Sequence, residues 1–316
     1  MRRTSIFKRL FLAIGLFALG ISSDAQTQNN WKDLKGDISF YVTSDMGRNG
    51  YYEQKPIAEL MGVMAEKVSP ECVFAVGDIH HFEGVRSVQD PLWTSNFENI
   101  YSHPELMLPW YPVLGNHEYR GSTQAVLDYA NISRRWEMPA RYYSKTFNDK
   151  GISIRFILLD TSPLLSKYRK DTEKYPDACK QNVQEQLDWL ENELKNAEEN
   201  WIVVMGHHPI YAQTPKSASE REDMQKLVDP ILRKYNVDMY ICGHIHNFQH
   251  IRKDASNIDY IVNSAASLSR KVNEIEGTRF CSREPGFSII TFRQNEMNLY
   301  MIDKQGQVLY TVKRNK

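Results

Sequence analysis

The chain has 316 residues, 41% apolar and 25% charged, and its 39 basic residues balance 39 acidic ones. That composition excludes a disordered or fibrous chain, and zero net charge offers no footprint for nucleic acid. The one long apolar run is N-terminal, which excludes a polytopic membrane protein.

In chain order, Arg2, Arg3, Lys8 and Arg9 flank an apolar stretch at 10–21 that is short for a membrane span. Ser23-Asp24-Ala25 then places small residues at −3 and −1 of a cleavage point. This reads as a secretory signal peptide ending near Ala25, with 26–316 as one secreted or periplasmic domain and no stable membrane partner. An uncleaved anchor is the alternative. Cleavage leaves 35 basic and 38 acidic residues, a slight acidity that says little about substrate.

Apolar runs at 38–42, 72–76, 111–114, 152–159, 201–205 and 237–242 are rich in Val, Ile, Phe and Tyr and read as buried strands. Amphipathic stretches lie between them. One carries Ile57, Leu60, Met61, Met64 and Val68 on a face, and another Val183, Leu187, Leu190, Leu194 and Ala197. A third carries Met224, Leu227, Val228, Ile231 and Leu232, with Pro230 placed to kink it. The tail runs at 260–263, 286–292, 297–302 and 308–312 read as consecutive strands of an antiparallel or mixed second sheet. The predicted fold is α/β: two mixed β-sheets packed face to face and flanked by helices, a four-layer αββα sandwich.

Four cysteines occur. Cys72 and Cys242 fall in apolar runs and read as buried thiols. Cys179 and Cys281 fall in polar loops, where a bridge is open in an oxidising compartment. No CxxC is present, so Cys-based zinc or redox chemistry is disfavoured. The segment 166–180 carries both charge signs and reads either as a lid or as a surface loop.

The chemistry follows the strands. After five apolar runs come Thr43-Ser44-Asp45-Met46-Gly47, Gly77-Asp78-Ile79-His80-His81, Gly115-Asn116-His117-Glu118, Gly206-His207-His208-Pro209 and Gly243-His244-Ile245-His246. Any one Asp or His in a turn is commonplace. Seven of the nine histidines fall in these five segments, and that concentration makes coincidence a poor account. Ligands of α/β sheets bind at the carboxyl ends of strands, so these residues can converge. Imidazole, carboxylate and amide oxygen without thiolate suit Zn, Fe or Mn. The number of donors suits two ions sharing one carboxylate, the arrangement used for in-line attack on phosphorus.

With these five blocks in this order, the chain resembles the metallophosphoesterases (calcineurin-like), specifically the small purple or tartrate-resistant acid phosphatases. Further similarity lies in Arg135-Trp136, Leu158-Leu159-Asp160-Thr161 and Gln186-Leu187-Asp188-Trp189-Leu190, so the resemblance spans 36–314. It implies that Asp45 and His246 bind a first metal, that Asp78 bridges, and that Asn116, His207 and His244 bind a second. It implies that His117 is not a ligand but a catalytic residue that protonates the leaving alkoxide or binds the phosphoryl oxygens, with Glu118 orienting its ring. The implied activity is hydrolysis of small phosphomonoesters by in-line attack of a metal-bound hydroxide.

Two departures matter. The family's metal-binding tyrosine, three residues after the bridging Asp, is here His81. Imidazole is a neutral donor, so a divalent pair without a ferric–tyrosinate centre is expected, with His81 as first-metal ligand and His80 as the alternative. The family's second histidine after the Gly-His block is here Lys216, a point charge for phosphate or a solvated lysine. His208 is a further substrate-binding candidate. Two other functions stay open: a phosphodiesterase or nucleotide pyrophosphatase on the same fold, and a secreted non-catalytic binding protein with a degenerate site.

Overall fold

Runs rich in Val, Ile and Phe bury both faces, and in the computed structural model they form the centres of two sheets. Residues 30–316 are described, apart from Ser217, Ala255 and Ser264, and the segment expected to be a signal peptide lies outside them. The strands are β1 (Ile38–Thr43), β2 (Val73–Ala75), β3 (Trp110–Pro112), β4 (Tyr143–Asp149), β5 (Ile152–Leu159), β6 (Trp201–Gly206), β7 (Met239–Cys242), β8 (Phe248–Ile251), β9 (Asp259–Val262), β10 (Thr278–Ser282), β11 (Gly286–Arg293), β12 (Glu296–Asp303) and β13 (Val308–Asn315). The helices are α1 (Gln54–Val68), α2 (Thr123–Asp128), α3 (Ser166–Lys170), α4 (Val183–Lys195), α5 (Ala218–Leu227) and α6 (Asp229–Lys234).

The first sheet has the order β13-β12-β11-β1-β2-β3 and the second β10-β8-β9-β7-β6-β5-β4. Strands β1, β2 and β3 are parallel, as are β5, β6, β7 and β9. Both sheets are mixed, because β11 runs antiparallel to β1 and β4 antiparallel to β5. One expectation is corrected. The last three tail strands do not build the second sheet; they extend the first, through the register Ile38↔Phe292. Strand β1 is buried at all six positions and takes β2 on one edge and β11 on the other. Only β9 among the tail runs joins the second sheet.

The sheets meet through aromatic rings. Phe156 of β5 lies 5.0 Å from Phe40 of β1 and 4.3 Å from Phe74 of β2, and Trp201 of β6 lies 6.1 Å from Phe292 of β11. Each such buried ring contributes about 1.5–3 kcal/mol. Helix α1 buries Ile57, Met61, Met64 and Val68 and stops at Ser69, whose φ of 52° is left-handed. Helix α4 starts at Asn182, whose side chain accepts the Glu185 N–H at 3.2 Å, and it buries Leu187, Leu190 and Leu194. The expected kinked helix is two helices broken at Val228, with Pro230 in the first turn of α6, because proline cannot donate within a helix interior.

All four cysteines are free thiols, so Cys179 and Cys281 are not bridged. Segment 166–180 is not a loose surface loop. It contains α3 and buries Tyr168 and Tyr175. Among the described residues no helix is long and apolar enough to cross a membrane.

Candidate metal centre

The parallel strands of both sheets end side by side. Asp45 follows β1, Asp78 and His81 follow β2, Asn116 and His117 follow β3, His207 follows β6, and His244 and His246 follow β7. Oδ1 of Asp45 lies 3.3 Å from His246 Nε2. Oδ2 of Asp78 lies 3.4 Å from His81 Nε2 and 3.2 Å from His207 Nε2, and His207 Nε2 lies 3.2 Å from His244 Nδ1. Two donor clusters result. Asp45, Asp78, His81 and His246 each bring a donor within 4.8 Å of the others, as do His207, His208 and His244. Asp78 touches both.

Holding the side chains there strains the backbone. Asp45, Asp78, His244 and His246 have φ of 51°, 52°, 69° and 63°, in the left-handed region. Such residues cost of order 1–3 kcal/mol each and cluster at functional sites. Gly115 and Gly243 permit the crowding. A Cβ on Gly115 would stand 2.3 Å from Asp78 Oδ1, and one on Gly243 2.6 Å from Asp45 Oδ2.

Backbone carbonyls aim the rings. Nδ1 of His81 meets Gly47 O at 3.1 Å, that of His207 meets Val76 O at 2.9 Å, and that of His246 meets Leu268 O at 2.7 Å. A carbonyl only accepts, so each Nδ1 carries the hydrogen and each Nε2 lone pair faces inward. His244 is turned the other way, with Nε2 at 3.1 Å from Glu220 Oε2 and Nδ1 inward. Asp45 Oδ1, His81 Nε2 and Asn116 Oδ1 are buried with no hydrogen-bond partner. Lone pairs crowded this way repel unless a cation lies among them, so the donor set fits two ions with N/O preference.

The remaining candidates separate. His80 is turned away, its ring 4.6 Å from Trp93 and its Nδ1 3.4 Å from Asn96 Nδ2. His117 stands at the mouth, with Nδ1 on Phe82 O at 2.6 Å and Nε2 3.8 Å from Asp78 Oδ2. Burial pushes this imidazole down to about 3, against the pull of Asp78. The Phe82 carbonyl therefore orients the ring, and Glu118 does not. The buried Glu118 carboxylate instead accepts the backbone N–H groups of Asp78, His80 and Gly115. His208 is also corrected as a substrate contact: Thr161 Oγ1 takes its Nδ1 at 2.8 Å and Tyr168 OH its Nε2 at 3.1 Å. Lys216 reaches the centre, where Nζ donates to His244 O at 2.5 Å. Glu220 escaped sequence reasoning, since it lies in the charged run Glu220-Arg221-Glu222-Asp223, which reads as a solvated helix face. In the fold it is buried, holds His244, and accepts from Lys167 and Tyr168.

Known proteins share this plan. The calcineurin-like phosphoesterase family pattern matches residues 38–248. Purple acid phosphatase 7 of Arabidopsis thaliana is 36% identical over 229 residues, 70% of this chain and 67% of that protein. Purple acid phosphatase 4 of the same plant is 30% identical over 323 residues, 97% of this chain and 92% of that protein. Among solved structures, "GAP50 the anchor in the inner membrane complex of Plasmodium" superposes with a TM-score of 0.76 over 88% of each chain, at 22% identity, which is a likeness of fold. The family match over 38–248 and the identity to the plant enzymes place the chain in the calcineurin-like phosphoesterases, as a relative of the purple acid phosphatases.

Proposed function

We propose that the chain is a secreted or periplasmic phosphatase that hydrolyses small phosphomonoesters with two divalent metal ions, Zn, Fe or Mn. Residues 26–316 are its catalytic domain once the segment ending near Ala25 is removed. The observation that carries this reading is the pair of donor clusters joined at Asp78, with partnerless buried donors on Asp45, His81 and Asn116.

Asp45, Asp78, His81 and His246 hold the first ion, and Asp78, Asn116, His207 and His244 the second. Ions so held neutralise phosphoryl oxygens and supply water of lowered pKa. His117 keeps its Nδ1 hydrogen on the Phe82 carbonyl, so Nε2 is the atom that must first take up a proton, the ring being neutral, before passing it to the leaving oxygen. The carbonyl anchors keep the His81, His207 and His246 rings aimed before substrate arrives, which removes reorganisation from the reaction itself.

The test pairs metal analysis of the purified protein with rates on p-nitrophenyl phosphate and bis(p-nitrophenyl) phosphate. Two ions per chain and preference for the mono-ester are expected, and Asp78→Asn loses both ions and turnover. Preference for the di-ester makes the chain a phosphodiesterase. Two bound ions without turnover of either ester point to a non-catalytic binding protein.

A further inference from the structure

We propose that Arg48, Lys216 and Arg270 form a second-anion subsite at the mouth of the metal centre, so that the preferred substrates are phosphomonoesters carrying a second phosphoryl group. The inference rests on the phosphatase reading and narrows its substrate class.

Arg48 directly follows Gly47, whose carbonyl holds His81. It is 8% exposed, and its Nε has no hydrogen-bond partner. Its guanidinium sits 4.9 Å from the Phe82 ring centroid and 5.9 Å from that of Tyr52, two rings that are themselves 62% and 60% exposed. A guanidinium so deep in protein is costly unless an anion meets it. The carboxylates whose charge it feels are Asp45 and Asp78, both occupied in the proposed centre.

Arg270 lies close enough for its charge to act on both Arg48 and Lys216. Lys216 Nζ is tied to the carbonyl of the ligand His244, and the backbone N–H of Arg270 donates to the carbonyl of the ligand His246 at 2.7 Å. Residues 267–270 form a wall between the centre and a neighbouring cleft. On one side Ser267 Oγ donates to Asp45 O and Leu268 O meets His246 Nδ1. On the other, the same residues line a cleft of about 380 Å³ together with Tyr52, Lys271 and Arg283. The cleft also contains Lys304, which Glu53 neutralises at 2.7 Å, and Glu284. Cations therefore outnumber carboxylates four to two along its wall, in a chain of zero net charge.

Two divalent ions already answer the charge of one phosphoryl group. Three further cations beside them match a second anionic group on the same molecule, with Tyr52 and Phe82 walling the space between. One charge-assisted contact to the second group gives about a tenfold preference or more.

The experiment compares kcat/KM of the metal-loaded full chain for fructose 1,6-bisphosphate and fructose 6-phosphate at two ionic strengths. The bisphosphate should be favoured about tenfold, beyond the factor of two that two scissile groups allow, with the gain in KM and erosion by salt. Arg270→Ala, at an exposed position, and Arg48→Gln should each bring the ratio toward two. Calorimetry with propane-1,3-bisphosphonate and propylphosphonate reads the same preference without turnover. Equal affinities for the two phosphonates, or a ratio that both variants retain, overturns the subsite. If neither sugar phosphate is hydrolysed while the bisphosphonate binds preferentially, the phosphatase reading fails and the subsite stands.

Discussion

Glu118 Oε2 accepts the backbone N–H of Asp78 at 2.9 Å and that of Gly115 at 2.8 Å, so one carboxylate ties the turn after β2 to the turn after β3. Its other oxygen takes the His80 N–H at 3.0 Å. Burial, together with the nearby Asp78 charge, pushes Glu118 up to about 7. Glu118→Gln replaces one acceptor with an amide donor facing a backbone N–H. A buried donor left unmet costs about 1–3 kcal/mol, and the turns that present Asp78 and Asn116 lose their register. We expect a lower urea midpoint and weaker binding of the ion shared with Asn116. A variant of native stability and metal content would show that the staple is dispensable.

His117 has a different signature. Its ring is anchored by Phe82 O, while the Glu118 carboxylate is spent on backbone N–H groups. His117→Ala should keep both ions and lower kcat on alkyl phosphates by roughly 10²–10⁴-fold. Aryl phosphates, whose leaving groups need no proton, should lose far less. Equal losses on both ester types would argue that the ring binds the phosphoryl group and moves no proton.

Most of the centre was legible because each ligand stands directly after an apolar run, usually behind a glycine. That pattern is local, and it marked the five segments within which the family resemblance proposes Asp45, Asp78, Asn116, His207, His244 and His246 as ligands. What escaped depends on contacts far apart in sequence. Glu220 reaches His244 across 24 residues. Glu118 finds the amides of Asp78 and His80 about 40 residues upstream, although its neighbour His117 suggested a nearer partner. Strand β4 escaped because it is mostly half-buried or exposed and has no apolar run, and β8 because Gln249 and His250 interrupt one. The attachment of β11 to β1 depends on which strand edges stay open after folding, which periodicity does not encode.

Away from the centre, Asp259 controls acid stability. Its carboxylate meets His250 Nε2 at 2.9 Å, Arg252 Nε at 3.0 Å and Arg314 Nη1 at 2.8 Å. Burial raises the carboxyl, but bonds from His250 and Arg314 outweigh it and hold it below the usual value. A depressed folded-state value stabilises the protein above the unfolded value, near pH 4, and the effect fades as pH falls through the folded value. Asp259→Asn should therefore be destabilised at pH 7 and converge toward the native protein below about pH 4. Urea midpoints at pH 7, 5 and 3 check this. A deficit that stays constant with pH would assign the effect to packing.

The proposed preference of the first cluster for divalent ions rests on His81. Gly47 O fixes its Nδ1, and Nε2 faces Asp78 without a hydrogen-bond partner, whereas His80 packs on Trp93. The position is the one where the purple phosphatases resembled in sequence carry a tyrosine. A phenolate is an anionic hard donor that favours Fe(III), and an imidazole suits Zn, Mn or Fe(II). The native protein should therefore load divalent ions and show no visible charge-transfer band, even after oxidation. His81→Tyr should shift the first cluster toward ferric iron and produce such a band. His81→Ala should weaken the first ion while the second, on Asn116, His207 and His244, is retained. Metal stoichiometry and visible spectra of the three proteins make the comparison. A purple native protein, or a His81→Ala variant that keeps its first ion with unchanged affinity, would remove His81 from the centre and leave the selection of metal to the shared carboxylates.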